Sequence, residues 1–312
     1  MPDIIIIGGG PAGLSAAIYA KRAGADAVIL EKTAVGGQIA KTHNMENYPG
    51  IFSVSGVDFT IALKQQAEKL GADITSCGVK RIERRAEGFA LSCDSGELTC
   101  RAVIAAMGAS AKKLGIPGED ELLGSGVSYC ATCDGGFFKN MDVAVIGGGD
   151  TALSDAIYLS KIAKSVKLIH RRDKLRAQDM LISQAAALDN VEFILNAQVK
   201  RLEGSFGLEG LIYEKDGARH ELKIDGCFIA VGSEPQTSVL RGLCDIDESG
   251  YVLADETCVT KTAGLFVAGD IRKKPLKQVV TAAADGAVAA TAACEYLQRI
   301  KSTGGYPENW CY

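Results

Sequence analysis

The chain has 312 residues, 47% of them apolar, and a formal net charge of −4. That apolar content suffices for two cores of ordinary size, and the acidic balance argues against a nucleic-acid or anionic-membrane protein, which would carry a basic excess. No run approaches the ~18 uninterrupted apolar residues of a membrane span, and MPDIIIIGGG lacks the basic start of a signal peptide.

In chain order, Ile4–Ile7 is a short apolar run suited to a buried parallel strand. Gly8, Gly10 and Gly13 follow as GxGxxG and open an amphipathic helix. The first glycine permits a tight turn, the second a close approach to a pyrophosphate, and the third close packing of helix on strand. The helix start adds free N–H groups and a positive dipole end. The next strand, Ala27–Leu30, ends in Glu31, a carboxylate placed to accept from free ribose hydroxyls. This site fits FAD.

AAMGASAKKLGIPGE carries a hinge near Lys113–Pro117. Cys130 and Cys133 form a CxxC just before a second fingerprint. A zinc clip would want a second CxxC or a histidine pair. His43, His170 and His220 are far apart, so no metal site is predicted. A CxxC beside a βαβ unit reads as a dithiol/disulfide redox pair at the start of a helix.

In the second fingerprint Gly147, Gly149 and Ala152 take the three small positions, with Asp150 and Thr151 opening the helix. The following strand, Val166–Ile169, ends not in an acid but in His170, Arg171 and Arg172, with Arg176 close by. Guanidinium groups bind a 2′-phosphate that a carboxylate would repel, which assigns this site to NADPH. AVGSEPQTSVL then reads as a return strand and a second hinge near Gly232–Leu240.

Further on, a strand ends in Gly269-Asp270, before a basic loop and a long helix of small residues starting near Gln278. Asp270 is placed to accept from flavin ribityl hydroxyls, and the helix start to face the flavin ring. The other eight cysteines, Cys77, Cys93, Cys100, Cys227, Cys244, Cys258, Cys294 and Cys311, are scattered singly, as in a reduced, cytoplasmic protein.

GGGPAG, GGQ with ENYPG, CATCD, GGGDTA with HRRDKLR, and AGD with KQVVTAAADG occur in this order over nearly the whole chain. Together they resemble the low-molecular-weight, bacterial-type thioredoxin reductases. The resemblance implies an α/β fold of two Rossmann-like dinucleotide-binding domains, the NADPH domain inserted into a discontinuous FAD domain. Residues 1–114 and 241–312 would form the FAD domain, and 115–240 the NADPH domain carrying the CxxC. It also implies flavin contacts from Gly36, Gly37, Gln38 and Asn47. Cys133 would face the flavin and Cys130 attack the partner, with Asp134 moving a proton. The implied enzyme is a cytoplasmic homodimer that passes electrons from NADPH to thioredoxin, with no nucleic-acid or membrane partner. The chain departs from the family at Met107 and Lys277. A reductase of another dithiol protein keeps the same residues; a dithiol oxidase would not need HRRDKLR.

Overall fold

The computed structural model describes residues 1–42, 45–307 and 310; His43 and Cys311 lie outside them. The chain divides into two compact units, Met1–Ser110 with Glu234–Tyr312, and Ala111–Ser233, so one unit is inserted within the other.

In the first unit the chain runs β1 (Ile4–Ile7), α1 (Pro11–Arg22), β2 (Ala27–Glu31), α2 (Gly56–Lys69) and β3 (Asp73–Ser76), then β4 (Val79–Arg85), β5 (Gly88–Cys93), β6 (Gly96–Cys100) and β7 (Ala102–Ala105). The tetrad of isoleucines in β1 is buried on both faces, as a central parallel strand requires. β4, β5 and β6 form an antiparallel layer.

The crossing strand β8 (Ala109–Ala111) leads to β9 (Val127–Ser128) and the one-turn α3 (Ala131–Asp134). β10 (Asp142–Gly147), α4 (Asp150–Ser160), β11 (Ser165–Ile169), α5 (Asp179–Ala186) and β12 (Val191–Ile194) follow. β13 (Ala197–Glu203), β14 (Gly210–Lys215) and β15 (Ala218–Lys223) make a second antiparallel layer, before β16 (Gly226–Ala230). The return strand β17 (Ser233–Pro235) leads back to β18 (Leu265–Val267) and α6 (Val279–Thr303).

Each unit is therefore built on the same plan. Its parallel sheet has the order β18-β7-β1-β2-β3 in one case and β9-β16-β10-β11-β12 in the other. The difference is where the edge strand comes from. In the first unit it arrives last, from the C-terminal part of the chain. In the second it arrives first, just before α3. In such sheets ligands gather beyond the carboxyl ends of the strands. That end of the second sheet carries Cys130 after β9, Gly147 at the end of β10 and His170 after β11.

In the first unit α6 lies directly on α1. A Cβ at Gly286 would fall 2.1 Å from the Ala12 carbonyl oxygen, so only glycine permits the approach. Among the described residues no helix is long and apolar enough to cross a membrane.

Candidate active site and its two glycine-rich turns

The first turn needs its glycines for two different reasons. Gly8 has φ +106°, and a Cβ there would sit 2.4 Å from the Ala106 carbonyl oxygen; one at Gly13 would sit 1.8 Å from the Gly8 oxygen. These two serve backbone packing. Gly10 instead faces nearly open space, its nearest neighbour 4.0 Å away, and is the position a pyrophosphate can approach. Glu31 reaches back to this turn: Gly9 N–H donates to its Oε2 at 2.7 Å, and Thr33 N–H and hydroxyl donate to Oε1 at 2.8 and 2.9 Å.

The structure brings the other predicted groups of this unit to the same place. Gly36 N–H donates to the Gly9 carbonyl (2.8 Å), laying Gly36, Gly37 and Gln38 beside the fingerprint. Asn47 Nδ2 donates to Gln278 Oε1 at 3.0 Å. Gln278 caps α6, with a reciprocal bond from its N–H to Thr281 Oγ1 (3.1 Å). Gly269, at φ +79°, packs against Ala12 of α1 and sets Asp270 beside the helix start. Burial pushes the Asp270 carboxyl up, opposed by Lys277 and Lys274. Its Oδ1 is buried without a partner. An open glycine cradle, an acid bonded to its turn at the end of the second strand and an orphaned buried carboxylate oxygen fit an adenine dinucleotide with a polyhydroxyl chain. Lys277, where the family often has arginine, lies 3.8 Å over the Tyr251 ring.

The second turn repeats the division of labour. A Cβ at Gly147 would meet the Ala230 oxygen at 2.4 Å, while Gly149 has nothing within 4 Å. A Cβ at Gly148 would strike the His170 ring, 2.3 Å from Nδ1. The loop after β11 folds back over this turn: Arg176 N–H donates to the Gly148 carbonyl (2.6 Å), and Gln178 N–H and Nε2 donate to Asp150 (2.8 and 3.1 Å). A cleft of about 300 Å³ results, lined among others by Gly147, His170, Arg171, Arg176 and Lys112. Buried His170 Nε2 has no partner. Burial lowers the imidazole pKa, and the three arginines lower it further, against a bond with the Lys174 backbone. Both effects favour the neutral form of the ring. Exposed Arg172 does not line the cleft; its carbonyl accepts from Asn196 N–H at 3.1 Å. Thr151 is exposed on the first turn of α4.

On α4, burial alone pushes the Asp155 carboxyl to about 7. The folded chain then holds a proton that the unfolded chain has released. Stability from this residue is full below pH ~4 and is lost as pH rises to ~7. Asp155→Asn stays neutral throughout. It is expected to raise stability at pH 8 by about 1–3 kcal/mol, a figure discounted for partial exposure, and to change little at pH 4. Thermal melts at the two pH values check this; equal shifts at both would contradict it.

Cys130 and Cys133 are joined as a disulfide. Cys130 caps α3, which spans only four residues before a 3-10 turn over Gly135–Phe138. The expected helix start is present, but one turn supplies little of the dipole that a long helix would. Three residues unmarked in the sequence hold this segment. Ser128 Oγ accepts from Cys130 N–H (3.0 Å) and donates to Asp134 Oδ2 (2.6 Å). Tyr129 OH donates to Glu119 Oε1 (2.7 Å). Glu119, 2% exposed, also accepts from the N–H groups of Leu114 (2.9 Å) and Gly115 (2.7 Å). The acid of GIPGE thus ties the loop beside the cleft to the residue preceding Cys130. Only the nearness of Ser128 and Tyr129 to CATC could have signalled them.

The free cysteines among the described residues are all buried. Burial pushes Cys93, Cys100 and Cys258 up to about 12 and Cys244 to about 11. At neutral pH these thiols are protonated and poor nucleophiles.

Residues 2–286 match the family described as pyridine nucleotide-disulphide oxidoreductase. The chain is 42% identical over 306 residues to a thioredoxin reductase of Bacillus subtilis, covering 96% of each chain. It is 41% identical over 305 residues to one of Listeria monocytogenes, covering 96% of this chain and 95% of that one. The crystal structure of thioredoxin reductase from Streptococcus pyogenes superposes with a TM-score of 0.91 at 38% identity, over 96% of this chain and 99% of that one. Fold and site thus define a flavin-dependent pyridine nucleotide-disulfide oxidoreductase. The chain belongs to that family and, within it, to the bacterial-type thioredoxin reductases.

Proposed function

We propose that the chain uses NADPH to reduce the disulfide of thioredoxin, with FAD held by residues 1–114 and 241–312 and NADPH by residues 115–240. The observation that carries this reading is the Cys130–Cys133 disulfide on the same sheet end as a cleft lined by His170, Arg171 and Arg176. An oxidase of small dithiols has no use for those cations.

When bound, the nicotinamide supplies a hydride and the flavin relays its two electrons to the disulfide. The protein's residues do the rest. Gly10, Glu31, Gly37, Gln38, Asn47, Asp270 and Gln278 hold the flavin nucleotide. Gly147, Gly149, Asp150, Thr151, His170, Arg171 and Arg176 hold the nicotinamide nucleotide. The Cys130 thiolate attacks one sulfur of the thioredoxin disulfide, and the other sulfur leaves as a thiolate. Cys133 then attacks the Cys130 sulfur, which re-forms the Cys130–Cys133 bond and releases reduced thioredoxin. Asp134, anchored by Ser128, holds the proton that the departing thiolate takes up. The net charge of −4 supports a role without nucleic acid. The family likeness supports a cytoplasmic homodimer with no membrane partner.

The purified protein is expected to be yellow, with one FAD per chain; no flavin spectrum after reconstitution would contradict the assignment. Steady-state NADPH oxidation against a panel of thioredoxins, with NADH and oxygen-only controls, tests the function. Turnover that needs a thioredoxin supports it, and equal turnover with oxygen alone defeats it.

A further inference from the structure

One buried charge cluster has no task in this scheme. Asp285 on α6 is 4% exposed and meets two hydrogen-bond donors and one ion-pair partner. Gly269 N–H and Lys274 Nζ donate to Oδ2 at 2.9 and 2.8 Å, and Arg272 pairs with Oδ1 at 2.7 Å. Arg272, 1% exposed, also donates to the carbonyls of Ala254 and Asp255. Two inward-turned cations thus meet on one carboxylate.

Beside them Asp270 keeps a buried oxygen without a partner. An inward-turned cation within reach of an orphaned carboxylate ordinarily pairs with it, because leaving either alone is costly. Lys274 Nζ shares Asp285 Oδ2 with the N–H of Gly269, the residue before Asp270, so the ammonium sits next to Asp270 yet is bonded to Asp285. Asp285 is also held in place. Its neighbour Gly286 presses on the α1 backbone, and its bond to Gly269 fixes the turn that presents Asp270.

We propose that Asp285 is a positioning residue: by engaging Lys274 and Arg272 it keeps the Asp270 carboxylate open for the ribityl hydroxyls of the flavin. This rests on the reading of this unit as the FAD unit. A neutral residue at 285 would free Lys274 to pair with Asp270 and compete with the ligand. A second substitution that removes the lysine should then undo the damage. A purely structural role predicts the reverse, since two losses in one network would accumulate.

The test is the rate at which the full-length holoprotein releases FAD on dilution, read from the rise in flavin fluorescence, with circular dichroism as the folding control. Asp285→Asn is expected to release FAD about tenfold faster or more, on the scale of one lost charge-assisted contact. Lys274→Met should stay within about threefold of the unmodified protein, and the double variant should recover to within about fivefold. An unchanged rate in Asp285→Asn, or a double variant as fast as the single, overturns the proposal. If Asp285→Asn does not fold, Asp285→Glu, which keeps a carboxylate for Lys274 and Arg272, is read instead: release within about threefold of the unmodified protein is expected, and release about tenfold faster overturns the idea. Absence of FAD from the unmodified protein would instead defeat the underlying assignment, and is seen without any variant.

Discussion

Cys130→Ser and Cys133→Ser are each expected to lose thioredoxin reduction by about 10⁴-fold or more, the scale on which loss of an attacking group acts. Each leaves one thiol, and a lone thiol sustains no dithiol cycle. Both variants should still bleach their flavin with NADPH, because that step precedes the cysteines. They should part company with the protein substrate. Cys133→Ser keeps the attacking sulfur and lacks the resolving one, so it should accumulate a mixed disulfide with thioredoxin on non-reducing gels. Cys130→Ser should not. The reverse pattern would exchange the two roles. Full activity in either variant would remove the pair from the reaction altogether.

The second large effect concerns the nucleotide. Arg171 and Arg176 line the cleft, whereas Arg172 does not. A charge-assisted hydrogen bond contributes about 1.5–3 kcal/mol, and 1.4 kcal/mol is a factor of ten. Arg171→Ala with Arg176→Ala is therefore expected to lower kcat/KM for NADPH roughly 10²-fold while leaving NADH within about threefold. Arg172→Ala should have the smallest effect of the three single substitutions. Steady-state kinetics with both nucleotides decide it. Equal kcat/KM for NADPH and NADH in the unmodified protein would contradict the assignment of the cleft.

The parts of the fold legible in the sequence are those written in local patterns. An apolar run followed by spaced glycines marks β1 with α1, and a similar run marks β10 with α4; the structure has both pairs where those patterns lie. The start of α6 at Gln278 was visible because a basic loop gives way there to a run of small residues. The two antiparallel layers were not visible. β4 reads VKRIERR and has one buried residue, Ile82, so its apolar signal is faint. Nor could spacing reveal the acids that hold the sites in place. Glu119 and Asp285 look like ordinary surface residues until distant segments fold over them. Glu119 is recognisable only once the Leu114–Gly115 loop and Tyr129 meet around it, and Asp285 only once Arg272 and Lys274 turn inward.

The shape of the glycine-rich turns also adds something the pattern alone does not hold. The motif treats its glycines as one signature. In the structure Gly8, Gly13 and Gly147 are required by neighbouring backbone or side chains, while Gly10 and Gly149 face open space. Substituting the first group disturbs packing; substituting the second obstructs a ligand.

The central claim is that electrons from NADPH reach the bond between Cys130 and Cys133 and leave through it. Anaerobic thiol labelling of the native protein measures this most directly, because the other described cysteines are buried. One equivalent of NADPH should make Cys130 and Cys133, identified by peptide mass, newly reactive toward an alkylating agent. Addition of oxidised thioredoxin before the label should abolish that reactivity and yield reduced thioredoxin in equal amount. Labelling of this pair that does not change with NADPH, or reduced thioredoxin formed while the pair stays oxidised, would contradict the account.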